Sequence, residues 1–539
     1  MGYNFAGGGD EDQGFLLPPD PRDWLPEGHL AWAMRRQAGE VDLAPFLAAY
    51  RADGQGKRAY HPRMMVALIM YCYCKGIRSS RAIELATFDD VGARVICGGL
   101  HPDHATNARF VTRHKGPLAG LLVQSLVACA REGLVRVDVT AGDGTKVKAN
   151  ASMAANATAE QLGLDIAGLE ELLAAEVQAW IGQALAADAA EDVLFGGRDD
   201  AGPPAGGATA GRAGRTRTAD KLARRRAAQA KLDAEARARR EQAEAARAAR
   251  IARLAAAKDR LAGRAAEELA KGQARVDRYA RRAADAAAGK GRRQRGQAPW
   301  PAAQQRDVRA SAEAAAQAAR KLDQALAAPA VAARPPRPPQ ANVTDLASRV
   351  MPGKKGGFDQ LYNLQALACR GQVILAIGTH DNTTDVDALH PLLAAAAANL
   401  AAAGITEPIG TALFDTGYAS DANFTAACNP DLYVAVTREA RQAGTSAAGR
   451  DPAASRSWQQ MAAKLASPHG HALYKQRKAI IEPVFAQLFA RFGRTLHYRG
   501  AMVSTELHLQ AAVHNTLKAI RARNRRERHA TARTALAAD

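Results

Sequence analysis

Val135-Arg136-Val137-Asp138-Val139-Thr140-Ala141-Gly142-Asp143-Gly144-Thr145-Lys146-Val147-Lys148-Ala149-Asn150 is the stretch on which the reading of this chain turns. It alternates as a half-buried strand does, and the alternation predicts a break at Gly142-Asp143-Gly144 and a second short strand from Thr145 to Ala149. Two aspartates compete for attention. Val135, Val137, Val139 and Ala141 share one face, Asp143 follows in phase with them, and Asp138 falls on the other face with Arg136 and Thr140. Gly142 just before the acid allows close approach of a backbone or ligand. An aspartate beside glycine is ordinarily a turn former, so Asp143 needs support from the rest of the chain.

The chain has 539 residues and a formal charge of +19, with 47% hydrophobic residues, many of them alanine. That length predicts about three structural units. The charge points to a polyanionic partner, nucleic acid before an anionic membrane. No stretch is apolar enough to span a bilayer, and the acidic, glycine-rich beginning is not a signal peptide. Six cysteines show no C-x-x-C pair, which predicts buried thiols in a cytoplasmic protein rather than disulfides or a zinc site.

Residues 1–130 read as a helical N-terminal domain, a candidate DNA-binding one on the strength of a single helix junction. A helix from Pro62 stops at Gly76, and Ser79 or Ser80 caps the next, Arg81 to about Phe88. Lys75, Arg78 and Arg81 gather at this junction; they suit a DNA-docking helix pair, or the solvated corner of an ordinary bundle. Residues 156–340 read as an Ala/Arg-rich helical insertion. It comprises an acidic helical stretch, a glycine-rich link through Gly196 and Gly207, a basic long helix or helical hairpin, and a Pro335–Pro339 spacer. The interrupted domain, 131–155 and 341–526, resumes with a hairpin, Tyr362 to Ala368 and Val373 to Ile377. A helix capped by Thr384-Asp385 follows, then strands through Ile409–Phe414 and Leu432–Val436, and a final helix from Leu473 to Phe492. Residues 527–539 read as a basic, flexible tail. The fold class is α/β: a ribonuclease-H-like domain, a mixed sheet flanked by helices, interrupted by the helical insertion and preceded by an all-α domain.

This order of elements predicts that Asp143, Asp415 after the fourth strand, and Glu482 on the last helix converge. Three converging carboxylates are what two divalent cations need to activate a nucleophile and steady a leaving oxygen in phosphodiester chemistry. Glu482 sits between apolar pairs, and Pro483 after it predicts a kink or helix start. Tyr474, Arg477 and Lys478 on the approach would grip phosphate or stack on a base, unless they are plain helix surface. Asp381, Asp385 and Asp421 are rival acids, each also readable as a turn or helix cap.

Four motifs in this order are familiar: Asp143–Ser152, Phe358–Ala366, Asp415–Tyr418 and Tyr474–Phe485. They resemble those of DDE transposases of bacterial insertion sequences, most nearly the IS-eleven-eighty-two group, and Tyr60–Pro62 and Gly76–Arg81 resemble that family's amino-terminal domain. Ala141-Gly142 and Leu346 depart from its usual residues. The resemblance implies that Asp143, Asp415 and Glu482 bind two Mg²⁺ or Mn²⁺ ions. It also implies that Tyr474, Arg477 and Lys478 hold DNA near the cut, and that a homo-oligomer on double-stranded DNA cuts the element's ends and joins them to a target, on the bacterial nucleoid. A decayed, DNA-binding relative, a nuclease without strand joining, and a basic scaffold built on the insertion are the rivals.

Overall fold

A computed structural model describes residues 20–50, 58–195, 209–290, 297–329, 338–353, 356–436 and 455–538. The loose lead through residue 19, the Gly196–Gly207 link and Pro335–Arg337 lie outside them. The chain forms two compact units, residues 1–156 with 344–539, and residues 157–343.

The first unit begins with helices α1 (Leu30–Glu40), α2 (Ala44–Leu47), α3 (Pro62–Cys74), α4 (Ser80–Asp89), α5 (Val91–Cys97), α6 (His104–Arg113) and α7 (Lys115–Arg131). Their ends follow local chemistry. Pro62 starts α3, and Gly76 leaves it at a φ of +79°. The Ser79 hydroxyl accepts from the Ala82 N–H at 3.1 Å to cap α4. Met65 to Tyr73 of α3 are buried in one continuous core with residues of the sheet and of the C-terminal helices.

Strand β1 (Val139–Lys148) runs unbroken through Gly142-Asp143-Gly144, where the sequence predicted a turn and a second strand. It pairs antiparallel with β5 (Phe358–Cys369) at nine positions, Thr140 opposite Cys369 through Lys148 opposite Leu361. The glycines serve close packing instead of a turn: a Cβ on Gly142 would lie 2.2 Å from the Phe414 ring. β6 (Ile374–His380) returns antiparallel on β5, and β4 (Arg349–Pro352) pairs with the beginning of β5. On the other side of β1, β7 (Thr411–Phe414) and then β8 (Asp431–Val434) lie parallel to it. The order is thus β6-β5-β1-β7-β8, a mixed sheet.

Helices cover both faces. α11 (Leu389–Ala402), with residues of α7, buries one apolar layer against Leu367, Ala412 and Phe414. α15 (Gln476–Phe492) and α16 (Met502–Ala538) lie in the other layer with Ala141, Ala366 and Leu413. Three shorter helices precede them, α12 (Asp421–Thr425), α13 (Arg456–Ala466) and α14 (Pro468–Tyr474). α16 continues to Ala538 where a flexible tail was expected, in keeping with its Ala/Arg composition.

Pro483 lies inside α15 and neither starts nor ends it. Lacking an N–H, it cannot serve the Ala479 carbonyl four residues back. The Gln372 side chain serves it instead, its Nε2 donating to Ala479 O at 3.1 Å. Gln372 stands at the β5–β6 turn with a φ of +57°, the one non-glycine residue of that kind among those described.

In the second unit, the Ala/Arg run forms a single 79-residue helix, α9 (Thr209–Ala287). α8 (Ala159–Phe195) and α10 (Arg306–Ala327) pack along it. Arg225 pairs with Asp165 at 2.7 Å and Arg226 with Glu170 at 2.6 Å, so acids of α8 answer arginines of α9. A two-stranded ladder of β2 (Asn156–Thr158) and β3 (Gln340–Asn342) joins the start of this excursion to its end.

Candidate active site

The site forms because β7 is shorter than β1. Their parallel register ends at Ala141 opposite Leu413, so from Asp143 to Val147 β1 pairs only with β5 and that edge lies open, until Lys148 meets Thr495 in an isolated parallel bridge. Continuing that register two residues brings Asp415 beside Asp143, on the face that α15 covers. Asp143 Oδ1 accepts from the Gly144 N–H at 2.8 Å, and Asp415 Oδ1 accepts from the Gly417 N–H at 2.9 Å. The rival Asp138 points away, paired with Arg370 at 2.8 Å.

Burial first, and then the Asp415 charge, push the Asp143 carboxyl up to about 6. Arg477, at 3.5 Å from Asp143 Oδ2 and itself buried, pulls the other way without overcoming them. Tyr474, at the end of α14, donates its hydroxyl to the Phe414 carbonyl at 3.2 Å. Two of the three residues expected to hold DNA are therefore at the aspartate pair.

Glu482 and Lys478 are both exposed on α15, and Glu482 lies five residues past Arg477, about 140° further round a helix. Among the described residues no three His, Cys, Asp or Glu side chains are grouped to hold a metal ion. The aspartate pair by itself fits a cation: two adjoining carboxylates, one of them raised by burial and then by its neighbour's charge, are relieved by a divalent ion.

A further acid faces the opening. A Cβ on Gly417 would lie 3.0 Å from both Asp385 Oδ2 and Asp415 Oδ1. Asp385 makes no side-chain cap, contrary to the sequence reading. Its Oδ1 instead accepts from Asn363 Nδ2 at 2.8 Å and Gln365 Nε2 at 2.7 Å, and the Tyr418 hydroxyl fixes the Gln365 amide by donating to its oxygen. Gly144 makes room for this cluster, since a Cβ there would be 2.7 Å from Asp385 Oδ1. The signal was Asn363 and Gln365 themselves, two amides in phase within the apolar run from Leu361 to Cys369. Of the other rivals, Asp421 is tied up by Ser455 and Ser457, from whose hydroxyls it accepts.

The basic residues of the helix junction are largely committed within the fold. Arg78 reaches the fully buried Glu506 carboxylate at 2.9 Å and the Thr495 carbonyl at 3.0 Å. Lys75 pairs with Asp90, and Arg81 is exposed.

These features define a mixed α/β protein with an acidic pair at the open end of a parallel strand pair. Residues 19–113 match a family described as Transposase domain (DUF772), and this supports an insertion-sequence transposase with that domain at its N-terminal side. No curated protein and no solved structure matches the chain. No helix among the described residues is long and apolar enough to cross a membrane.

Proposed function

We propose that the chain is a metal-dependent DNA transposase that cuts the ends of its element and joins the 3′ hydroxyls to target DNA, acting as a homo-oligomer on double-stranded DNA. The observation that carries this reading is the Asp143–Asp415 pair with Tyr474 and Arg477 at its side, in a chain whose N-terminal part matches a transposase domain. The strand order, three antiparallel strands followed by two parallel ones, favours a ribonuclease-H-like catalytic unit.

Asp143 and Asp415 would hold Mg²⁺ or Mn²⁺, with Glu482 as the third ligand that the motif resemblance implies. The bound ions supply activation of the attacking oxygen and charge neutralisation at the leaving one. Arg477 holds the two carboxylates in a cationic field and is placed to meet a phosphate oxygen; Tyr474 fixes the end of β7 from which Asp415 projects. The amide-held Asp385 keeps its carboxylate in one orientation toward Asp415.

The test is cleavage and strand transfer on a labelled end fragment. Asp143→Asn and Asp415→Asn abolish both while DNA binding persists, and Mg²⁺ binding measured by calorimetry falls with them. Strand transfer by a clean Asp143→Asn preparation would refute the assignment. The exposed placement of Glu482 favours one second reading, a transposase-derived protein that binds DNA without cutting it. Wild-type protein that binds the fragment but gives no Mg²⁺-dependent nick establishes that reading instead.

A further inference from the structure

A cavity of about 370 Å³ opens where the end of α3 meets α15 and α16. Its polar lining is Lys75, Gln487, Arg491, His514, Lys518 and Arg521, with no carboxylate among the lining residues. Lys75 is the one cation there with an acidic partner, Asp90. Lys518 has only a neutral one, its Nζ donating to Gln372 Oε1 at 3.2 Å. Among the described residues neither Arg491 nor Arg521 forms an ion pair. His514, 5% exposed, donates from Nε2 to the Gln372 carbonyl at 2.9 Å. Burial, together with the charges of Lys518, Arg491 and Arg521, lowers its pKa to about 4, so it adds no charge of its own. Cations that face one another in a partly closed space repel, and an anion placed among them turns that repulsion into attraction.

We propose that this cavity seats a backbone phosphate of bound nucleic acid, held by Arg491, Lys518 and Arg521. A chain of phosphates fits better than a lone ion because the basic lining continues outward. Arg525 and Arg528 follow Arg521 at four and seven residues along α16, which puts all three on one exposed side of the helix. This inference rests on the reading of the chain as DNA-acting, though it needs no cutting.

The experiment measures affinity for a short labelled duplex by fluorescence anisotropy, in EDTA, across a range of KCl concentrations. Removing the cation that neutralises one phosphate lowers the steepness of log Kobs against log[salt] by about 0.9. Arg521→Gln is expected to lower it by about 1, and Lys518→Gln with Arg521→Gln by about 2. The exposed Arg521 gives a variant that keeps its fold even if the Lys518 change does not, and thermal melting checks both. An unchanged slope in Arg521→Gln overturns the proposal. Pyrophosphate is the second probe: if it raises the wild-type Tm while the variants keep the wild-type slope, the cavity takes a free anion and the nucleic-acid assignment fails. Wild-type protein whose binding depends on the cavity but which never cuts DNA would sink the transposase reading and leave this one standing.

Discussion

Asp143 is pulled both ways by its neighbours, and burial with Asp415 prevails over Arg477. Its folded value, about 6, lies above the ordinary 3.8, so the folded protein binds the extra proton between those two pH values. The stability this contributes is fully present below about pH 3.8 and is lost as pH rises through about 6. Asp143→Asn removes the cost of ionisation. It should raise unfolding free energy by about 1–3 kcal/mol at pH 7.5, measured without divalent metal, and change it little at pH 4. A variant no more stable than wild type at pH 7.5 would show that Arg477 already compensates the charge. The separation of Asp143 from Asp138 was legible in the sequence through strand alternation, and in the structure Asp138 pairs with Arg370 while Asp143 is buried beside Asp415. Asp385 was legible only as a rival acid. Its neighbours in sequence suggest a cap, and the amides that hold it come from β5, about 20 residues away.

At the scale of elements, glycine misled. Gly142 and Gly144 carry the marks of a turn, yet both lie within β1, where what matters is a ring from β7 and the Asp385 carboxylate from the loop after β6. A single sequence does not show which partner crosses a strand. Gly142→Ala drives a Cβ into the Phe414 ring, 2.2 Å away before relaxation, and pushes β7 from β1. A loss of about 2–3 kcal/mol in urea unfolding is expected. Cleavage should be lost as well, since Asp415 is the residue after Phe414. Unaltered stability would mean that the ring turns aside freely. Pro483 does not start a helix as it could have done: α15 begins before it and continues past it, and Gln372 from a distant hairpin serves the carbonyl it abandons.

For the whole molecule, the N-terminal helices are joined to the sheet by one core and by Arg78, whose partner Glu506 is 428 positions away. Glu506 is fully buried, and it also accepts the backbone N–H groups of His497 and Tyr498. Arg78→Ala leaves that carboxylate without its counter-charge, and a loss of about 3 kcal/mol is expected. A DNA contact at this position would instead leave unfolding unchanged and weaken binding alone. Mixed α/β character and a sheet flanked by helices were readable from periodicity. The tie between helix junction and α16 was not, because no local pattern marks a pair that far apart.

The β2–β3 ladder has its own consequence. It sets the departure and the return of the chain side by side, however many residues lie between them. Closing a longer loop costs little more than closing a shorter one. With both ends of the excursion held to each other in this ladder, its length, the 79-residue helix included, adds little to the entropy of closing it.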